Sequence, residues 1–333
     1  MKFLIAGLGS IGQKHLHNLK NFLPCEILAY RVQKRELKEI EEKFGIKTYD
    51  DLEEALNERP DGVLVTNPTS LHIPVALSSA KRGCHLFIEK PLSDHLEGVN
   101  ELEQIVKEKN LVCLIGCNFR FHPGLRLIKG FLDRQQIGKI ISARIQTGEY
   151  LPNWHPWEDY REGYSAKKSM GGGVILTLIH ELDYAYWFFG MPEKVFAFAG
   201  KLSHLEIDVE DTAEILLKYP NGMIAEIHLD FIQRAPSRSC QIIGEEGTII
   251  WDYQKNQVEL FSAKSGKWQI FPGEKDFQRN QMFTEEMKHF LTAMEGKERP
   301  LVTLEDGREV LKIALAAKES ANKDKVVALK DGD

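Results

Sequence analysis

The stretch Met1–Gly12, MKFLIAGLGSIG, decides the fold of this chain. The apolar run Phe3–Ala6 predicts a buried strand, which leads directly into Gly7, Gly9 and Gly12 and then into a helical pattern. In that order Gly7 permits a tight turn, Gly9 lets the backbone approach a pyrophosphate, and Gly12 lets the helix pack on the strand. The free N–H groups of a helix N-terminus suit phosphate oxygens. The segment therefore predicts dinucleotide binding, and an ordinary strand–helix turn is the alternative.

The end of the second predicted strand bears on which dinucleotide binds. NAD-specific folds usually carry Asp or Glu about 20 residues after the glycines, where it binds the ribose 2′-hydroxyl. Here the strand Glu26–Arg31 ends in Tyr30 and Arg31, without a carboxylate. Arg31 could pair with a 2′-phosphate, and Lys34 and Arg35 add positive charge, which slightly favours NADP over NAD. Alternatively, Arg31 stacks on adenine or is solvated, and NAD binds through other contacts.

Length and composition limit the class of protein. The 333 residues suit two domains or one elaborated domain, and 43% hydrophobic with 28% charged residues is typical of a globular chain. A net charge of −6 gives no basic field for nucleic acid or anionic membranes. No apolar run reaches the roughly 18 residues of a membrane helix, and the early first strand leaves no room for a signal peptide. The five scattered cysteines predict reduced core thiols, so we expect a cytoplasmic protein without a metal site.

The first part of the chain, residues 1–120, alternates short apolar strands with amphipathic helices. This alternation predicts a parallel sheet with helices on both faces. Ligands of such sheets bind at the carboxyl ends of the strands. The residues at these ends are Gly7, Tyr30, Thr66, Glu89 and Asn118.

The second part, residues 121–333, has a different pattern. The triple glycine Gly171–Gly173 predicts the start of a helix that runs to Phe189, and strands with hairpin turns follow over residues 194–272. Two closing helices end the chain and could pack back on the first domain. We therefore expect an α/β protein with an N-terminal parallel sheet and a C-terminal α+β domain built on an open, mostly antiparallel sheet.

The open sheet also predicts assembly. No later strand-rich segment covers it, and we expect apolar residues such as Ile224, Ile227 and Leu229 to form its exposed face. A face of this kind is usually buried by a partner, so a homodimer or homotetramer is expected.

Two residues are candidates for acid–base chemistry. Lys90, in Glu89-Lys90-Pro91, lies at the carboxyl end of a parallel strand, where a cofactor would lie. A lysine there could donate a proton or stabilise an alkoxide, although EKP alone is unspecific and a surface lysine is the alternative. His180 could accept a hydroxyl proton, because the ordinary pKa of histidine is near neutrality. Asp183, three residues later, could orient it; the alternative is a histidine satisfied within a helix packed by its aromatic residues.

A polar, aromatic-rich loop spans residues 150–170. It carries Trp154, Tyr160 and Tyr164, which together offer apolar ring faces and hydrogen-bonding groups suited to a sugar. A structural loop or a subunit contact is the rival interpretation. His72, after the turn that follows a strand, could line the nicotinamide side or cap its own helix.

Together these motifs resemble the glucose–fructose oxidoreductase / inositol dehydrogenase / MocA (Gfo/Idh/MocA) family. The matching segments are GLGSIG at 7–12, TNPTSLH at 66–72, EKP at 89–91, NFRFHP at 118–123 and GGG followed by His180-x-x-Asp183. The resemblance implies a Rossmann domain followed by an α/β domain whose open sheet face often mediates oligomers. It also implies NAD(P)-dependent hydride transfer to or from a sugar, cyclitol or nucleotide-linked sugar, with Lys90 and His180 catalytic.

The motifs and the resemblance together predict two groups of site residues. The cofactor-binding candidates are Gly7, Gly9, Ser10, Ile11, Gly12, Tyr30, Arg31, Thr66, Asn67, Pro68, His72, Glu89, Lys90 and Asn118. The substrate-binding candidates are Arg120, Trp154, Tyr160, Tyr164, Thr177 and Asp183.

One departure from the family concerns the helix that carries the histidine. The family has an aspartate four residues before it, where this chain has Leu176, and Thr177 is the nearest polar residue. Either Asp183 or Asp159 supplies the missing carboxylate, or the substrate needs none.

Two other functions fit the same fold. One is an enzyme that keeps its cofactor bound, such as a sugar–sugar oxidoreductase or an NAD-dependent glycosidase. The other is a sensor of NAD(P) or sugar without catalysis. The presence of both Lys90 and His180 favours an enzyme, because a sensor needs neither.

Overall fold

The computed structural model describes residues 1–31 and 37–329. Lys34 and Arg35 lie outside these described residues. The chain forms two units, the first made of residues 1–118 and 279–308 and the second of residues 119–278 and 309 onward. The first unit therefore includes a late segment of the chain.

The first unit contains a six-stranded parallel sheet in the order β3-β2-β1-β4-β5-β6. Its strands are β1 (Lys2–Ala6), β2 (Glu26–Tyr30), β3 (Lys47–Tyr49), β4 (Gly62–Val65), β5 (His85–Glu89) and β6 (Cys113–Gly116). Its helices are α1 (Ser10–Phe22), α2 (Leu37–Phe44), α3 (Leu52–Asn57), α4 (His72–Lys81), α5 (Val99–Glu108) and α9 (Asn280–Met294). The predicted parallel sheet is confirmed, and the strand order reverses between β1 and β4, where such sheets bind ligands.

Alternate side chains of β1 pack into two separate hydrophobic cores. Leu4 packs with residues of β4 and α4 on one face, and Phe3 packs with α1 and α9 on the other. The ring centroids of Phe87 on β5 and Phe290 on α9 are 5.6 Å apart. A helix that comes late in the chain therefore closes the second face of the N-terminal sheet.

The second unit contains a nine-stranded sheet in the order β14-β13-β12-β11-β7-β10-β9-β8-β15. Its strands are β7 (Ile140–Gly148), β8 (Lys194–Gly200), β9 (Thr212–Lys218), β10 (Ile224–Asp230), β11 (Ser237–Gly244), β12 (Gly247–Asp252), β13 (Gln257–Ser262), β14 (Lys267–Pro272) and β15 (Val327–Ala328). Its helices are α6 (Pro123–Asp133), α7 (Val174–Thr177) and α8 (His180–Phe189), and α10 (Leu304–Lys323) begins in the first unit and continues into the second. Every pair of neighbours is antiparallel except β7 with β10, which confirms the mostly antiparallel sheet.

The expected exposure of Ile227 and Leu229 is wrong. Both side chains are fully buried, whereas Ile224 is 51% exposed. Side chains of a strand alternate between its two faces, so the even-numbered Ile224 cannot share a face with odd-numbered residues of the same strand. The apolar side chains on the exposed face with Ile224 include Phe198 on β8 and Leu216 on β9.

The expected single helix from the triple glycine to Phe189 is also wrong. It is divided into α7 and α8, and Leu178 and Ile179 lie between them. Segment 174–189 contains neither glycine nor proline, so the break follows from packing and not from local propensity. His180 consequently begins a helix, and that helix ends at Gly190, where φ is +79°.

Candidate cofactor and substrate sites

The glycine turn after β1 has the geometry of a phosphate cradle. A Cβ on Gly7 would lie 2.6 Å from Asn67 N, and one on Gly12 would lie 2.0 Å from Gly7 O, so both glycines are required by close backbone packing. Gly9 has no heavy atom within 4 Å of its Cβ position. It precedes α1 as the N-cap without a side-chain hydrogen bond, and Ser10 and Ile11 begin the helix. Open space beside free helix N–H groups fits the pyrophosphate of a dinucleotide.

Polar groups follow the neighbouring strand β4 at the same edge of the sheet. The Thr66 hydroxyl donates to Gly7 O at 2.6 Å and so ties β4 to the glycine turn. Asn67 carries a buried Oδ1 without a hydrogen-bond partner among the described residues, and Pro68 starts the short turn before α4. His72 is buried, and its two ring nitrogens face the carbonyl oxygens of Asn67 and Pro91.

Lys90 follows the last residue of β5 and is half-buried. The neighbouring strand β6 leads to Asn118, which is 2% exposed and whose Oδ1 is a second buried amide oxygen without a described partner. Unsatisfied buried acceptors are rare, and a carboxamide or ribose hydroxyl would satisfy these oxygens. The residues present therefore fit a nicotinamide dinucleotide.

The end of β2 carries Tyr30 and Arg31, as expected. The Arg31 backbone N–H donates to Tyr49 O at 3.0 Å. Burial raises the pKa of the Tyr30 hydroxyl, and Asp51 on the adjacent segment raises it further. A carboxylate is therefore close to this end of β2, although none lies on the strand itself.

In the second unit, His180 lies among aromatic rings. It is 6% exposed, and its ring centroid is 4.8 Å from that of Phe119. Phe119 also contacts Tyr253, with centroids 5.9 Å apart, and lies 4.2 Å from the guanidinium carbon of Arg238. Burial and the Arg238 charge lower the pKa of nearby His122 to about 4. Tyr184, on the same helix as His180, is fully buried, and burial raises its pKa.

Arg120 and Asp183 form a buried ion pair. Arg120 donates from Nε and Nη2 to both carboxylate oxygens at 2.8–3.1 Å. The side chains are 2% and 1% exposed. The other candidate for the missing carboxylate, Asp159, is exposed and paired with Arg161. Both candidates are thus engaged by arginine, while Leu176 and Thr177 are buried on α7.

The loop over residues 150–170 is organised by contacts with itself and with residues 206–210. The Tyr160 hydroxyl accepts the Glu206 N–H at 3.1 Å. Trp154 packs edge-on against Phe231 with its Nε1 buried and without a described hydrogen-bond partner. Tyr164 is half-buried, and its carbonyl oxygen would lie 2.3 Å from a Cβ on Gly172. The triple glycine therefore allows this loop to pass close to the segment before α7.

Sequence reasoning missed a second buried ion pair. The Arg238 Nε donates to Glu181 Oε1 at 2.8 Å, and the two side chains are 6% and 0% exposed. A sequence signal was present: Arg238 occupies an inward position of β11, in phase with Cys240 and Ile242. A charge at an inward strand position needs a buried partner.

The described ranges 1–31 and 37–329 hold no cluster of metal-ligating residues and no membrane-spanning helix. No group of three or more His, Cys, Asp or Glu in them could hold a metal ion. None of the helices there combines the length and the apolar character needed to cross a membrane.

Comparison with known proteins shows the family. The model described as "Oxidoreductase family, NAD-binding Rossmann fold" matches residues 1–117. The model described as "Oxidoreductase family, C-terminal alpha/beta domain" matches residues 129–329. The two models cover nearly the whole chain, and they confirm the resemblance carried by the sequence motifs.

Individual relatives extend over the same length. Myo-inositol 2-dehydrogenase of Thermotoga maritima is 30% identical over 99% of this chain and 99% of its own. The scyllo-inositol 2-dehydrogenase (NAD(+)) of Bacillus subtilis is 26% identical over 95% and 92%. The structure of levoglucosan dehydrogenase in complex with NADH and levoglucosan has a TM-score of 0.88 at 20% identity, covering 99% of this chain and 100% of that one, and so shows the same fold. The chain belongs to the Gfo/Idh/MocA family of oxidoreductases, with an NAD-binding Rossmann fold followed by a C-terminal alpha/beta domain.

Proposed function

We propose that this oxidoreductase acts on a secondary alcohol, or the corresponding ketone, of a sugar, cyclitol or nucleotide-linked sugar. The observation that carries the proposal is the open Gly9 cradle on the same sheet edge as Lys90. The names of full-length relatives support the substrate class, since they include two inositol dehydrogenases. A bound nicotinamide dinucleotide would accept or supply the hydride.

The chain supplies the groups that handle the proton. Lys90 carries an ammonium group at the end of a buried strand, where it can stabilise the oxygen that becomes negatively charged. His180 is held at the start of α8 against Phe119 and is the proposed proton acceptor for the substrate hydroxyl. Asp183 is engaged by Arg120, so its proposed task is to hold Arg120 in place beside α8.

A panel of cyclitols and sugars, assayed with NAD and NADP through the absorbance of the reduced nicotinamide, tests this function. Lys90→Ala and His180→Ala should each lower turnover by about 10² to 10⁴, with nearly unchanged affinity for the dinucleotide. Because both residues act on one proton transfer, the double variant should lose less than the product of the single losses. Near-normal turnover of His180→Ala would remove the histidine from the mechanism. Retention of bound dinucleotide without release between turnovers would favour the enzyme class that recycles its cofactor.

For the cofactor, we propose a slight preference for NADP over NAD. The absence of a carboxylate on the end of β2 and the position of Arg31 support it. Calorimetric titration should show tighter binding of NADP, and Arg31→Ala should weaken NADP binding selectively. Equal or tighter NAD binding that the substitution leaves unchanged would contradict the preference, and the nearby Asp51 would then explain the discrimination against a 2′-phosphate.

For assembly, we propose a homodimer or homotetramer in which a second copy covers the open face of the nine-stranded sheet. Phe198, Leu216 and Ile224 support it, because these large apolar side chains are 47–61% exposed on that face. We further propose a cytoplasmic location, supported by five cysteines that are all free thiols.

A further inference from the structure

Glu89, the residue before Lys90, is a buried carboxylate held by a histidine. It is 6% exposed at the end of β5, and its Oε1 lies 2.6 Å from Nε2 of His15 on α1. The Lys90 N–H donates to the other oxygen, Oε2, at 3.2 Å. A buried carboxylate is costly unless it is hydrogen-bonded, and here both of its oxygens have donors.

The surroundings of this pair are shaped to accommodate it. His15 is fully buried, and its ring lies edge-on to Phe87 at 4.8 Å between centroids. A Cβ on Gly116, which pairs with Glu89 across β5 and β6, would lie 3.2 Å from the Glu89 carboxylate, so the glycine leaves room for it. Lys14 and Arg279 carry positive charge nearby; burial lowers the pKa of Lys14, Arg279 lowers it further, and Glu89 acts in the opposite direction.

The residue after Lys90 is held by a second histidine. His72, the first residue of α4, is 2% exposed; its Nδ1 lies 2.8 Å from Pro91 O and its Nε2 lies 2.9 Å from Asn67 O. Burial lowers the pKa of His72 and so favours the neutral ring, which donates through one nitrogen at a time. The Nδ1–H tautomer donates to Pro91 O and so ties the start of α4 to the segment after β5, whereas the Nε2–H tautomer donates to Asn67 O alone. A role in holding Pro91 therefore requires the proton on Nδ1.

We propose that His15 and His72 are positioning residues for Lys90, which they hold through Glu89 on one side and Pro91 on the other. This inference rests on the proposed role of Lys90. Two buried histidines from two helices converge on the two neighbours of one lysine, and the intervening backbone is thereby fixed on both sides. The lysine side chain is long and flexible, so its ammonium group can be positioned at a reacting oxygen only if the lysine backbone is itself held in place.

The first test needs no substrate. The lysines are methylated reductively with ¹³C, and the Lys90 resonance is assigned by its loss in Lys90→Arg. His15→Gln and His72→Gln should each shift this resonance. His17→Gln is the matched control, because His17 lies on the same helix as His15 with an exposed side chain, and it should leave the Lys90 resonance in place. A Lys90 resonance unmoved by His15→Gln and His72→Gln would overturn the inference.

The second test is a double-mutant cycle on turnover, with a polyol that the substrate panel shows to be oxidised. His15→Gln should lower kcat by up to about a hundredfold when Lys90 is present and should leave it nearly unchanged in the Lys90→Met background. A purely structural role would lower kcat equally in both backgrounds, and that result would refute the positioning role. Glu89→Gln retains the shape of the side chain and repeats the test if His15→Gln fails to fold. Full activity of Lys90→Ala would instead contradict the proposed function, so the two failures are distinguishable.

Discussion

Substituting Arg120 with methionine should strongly destabilise the second unit of the protein. The substitution removes the guanidinium that donates to both oxygens of the buried Asp183 carboxylate. Removing one partner of a buried pair costs about 3–5 kcal/mol, because the remaining charge stays out of water. The loss also removes the packing of Arg120 over Trp187, whose ring centroid is 5.8 Å from the guanidinium carbon.

Unfolding in urea with tryptophan fluorescence measures this loss selectively. All five tryptophans, Trp154, Trp157, Trp187, Trp251 and Trp268, lie in the second unit. With a urea dependence of about 2 kcal/mol per molar, the expected destabilisation lowers the transition midpoint by about 1.5–2.5 M. Asp183→Leu should cost a similar amount, and the double variant Arg120→Met/Asp183→Leu should be more stable than either single variant.

A surface ion pair of the same unit provides the control. Arg161 pairs with Asp159 and Glu206, and its side chain is half exposed. Arg161→Met should therefore cost at most about 1 kcal/mol. Two results would contradict the expected contribution of the buried pair to stability. One is a change in the free energy of unfolding by Arg120→Met that is no larger than the change by Arg161→Met. The other is a double variant that is the least stable of the set.

Gly9→Ala should leave the melting temperature nearly unchanged but weaken dinucleotide binding, whereas Gly12→Ala should destabilise the first unit; equal melting losses would contradict the assigned roles. The pKa of His122 is lowered from 6.5 to about 4 in the folded protein, so the unfolded state binds the proton more readily. The free energy of unfolding should therefore fall by about 3 kcal/mol as the pH drops from 6.5 to about 4. His122→Asn should remove this dependence of stability on pH. Phe198→Glu combined with Ile224→Glu should yield monomers in light scattering, and an unchanged mass would exclude this face from the interface.

Patterns with a short repeat allowed much of the fold to be predicted. Alternating apolar strands and helices predicted the parallel sheet, and the end of α8 at Phe189 was also predicted, because these signals are local. The short β3 and α3 have too few residues for a clear period and were not expected. The break between α7 and α8 was missed for another reason: Leu178 and Ile179 favour no break by themselves, so only packing decides it.

Site residues could be predicted from the sequence where a motif defines their role. They could not be predicted where their role depends on a partner that is distant in the sequence. The roles of Gly7 and Gly12 in close packing follow from their spacing, and the structure places each against the backbone. The partner of Asp183 is 63 residues away, so no local pattern could pair it with Arg120. The buried pair of His15 and Glu89 is separated by 74 residues and was missed for the same reason.

The position of α9 has a consequence for how the protein is made. Met287 and Phe290 of this helix belong to the core that also contains Phe3, Ile5 and Phe87 of the first sheet. During synthesis these sheet residues leave the ribosome long before the helix that covers them exists. Until α9 is made, helices α1 and α2 cover this face of the N-terminal sheet only in part, and strands β7 to β14 are translated in the meantime. Chaperones that bind apolar surface would therefore meet the chain at this stage. A fragment that ended at residue 118 would lack α9 and would leave permanently exposed the part of this face that Met287 and Phe290 cover.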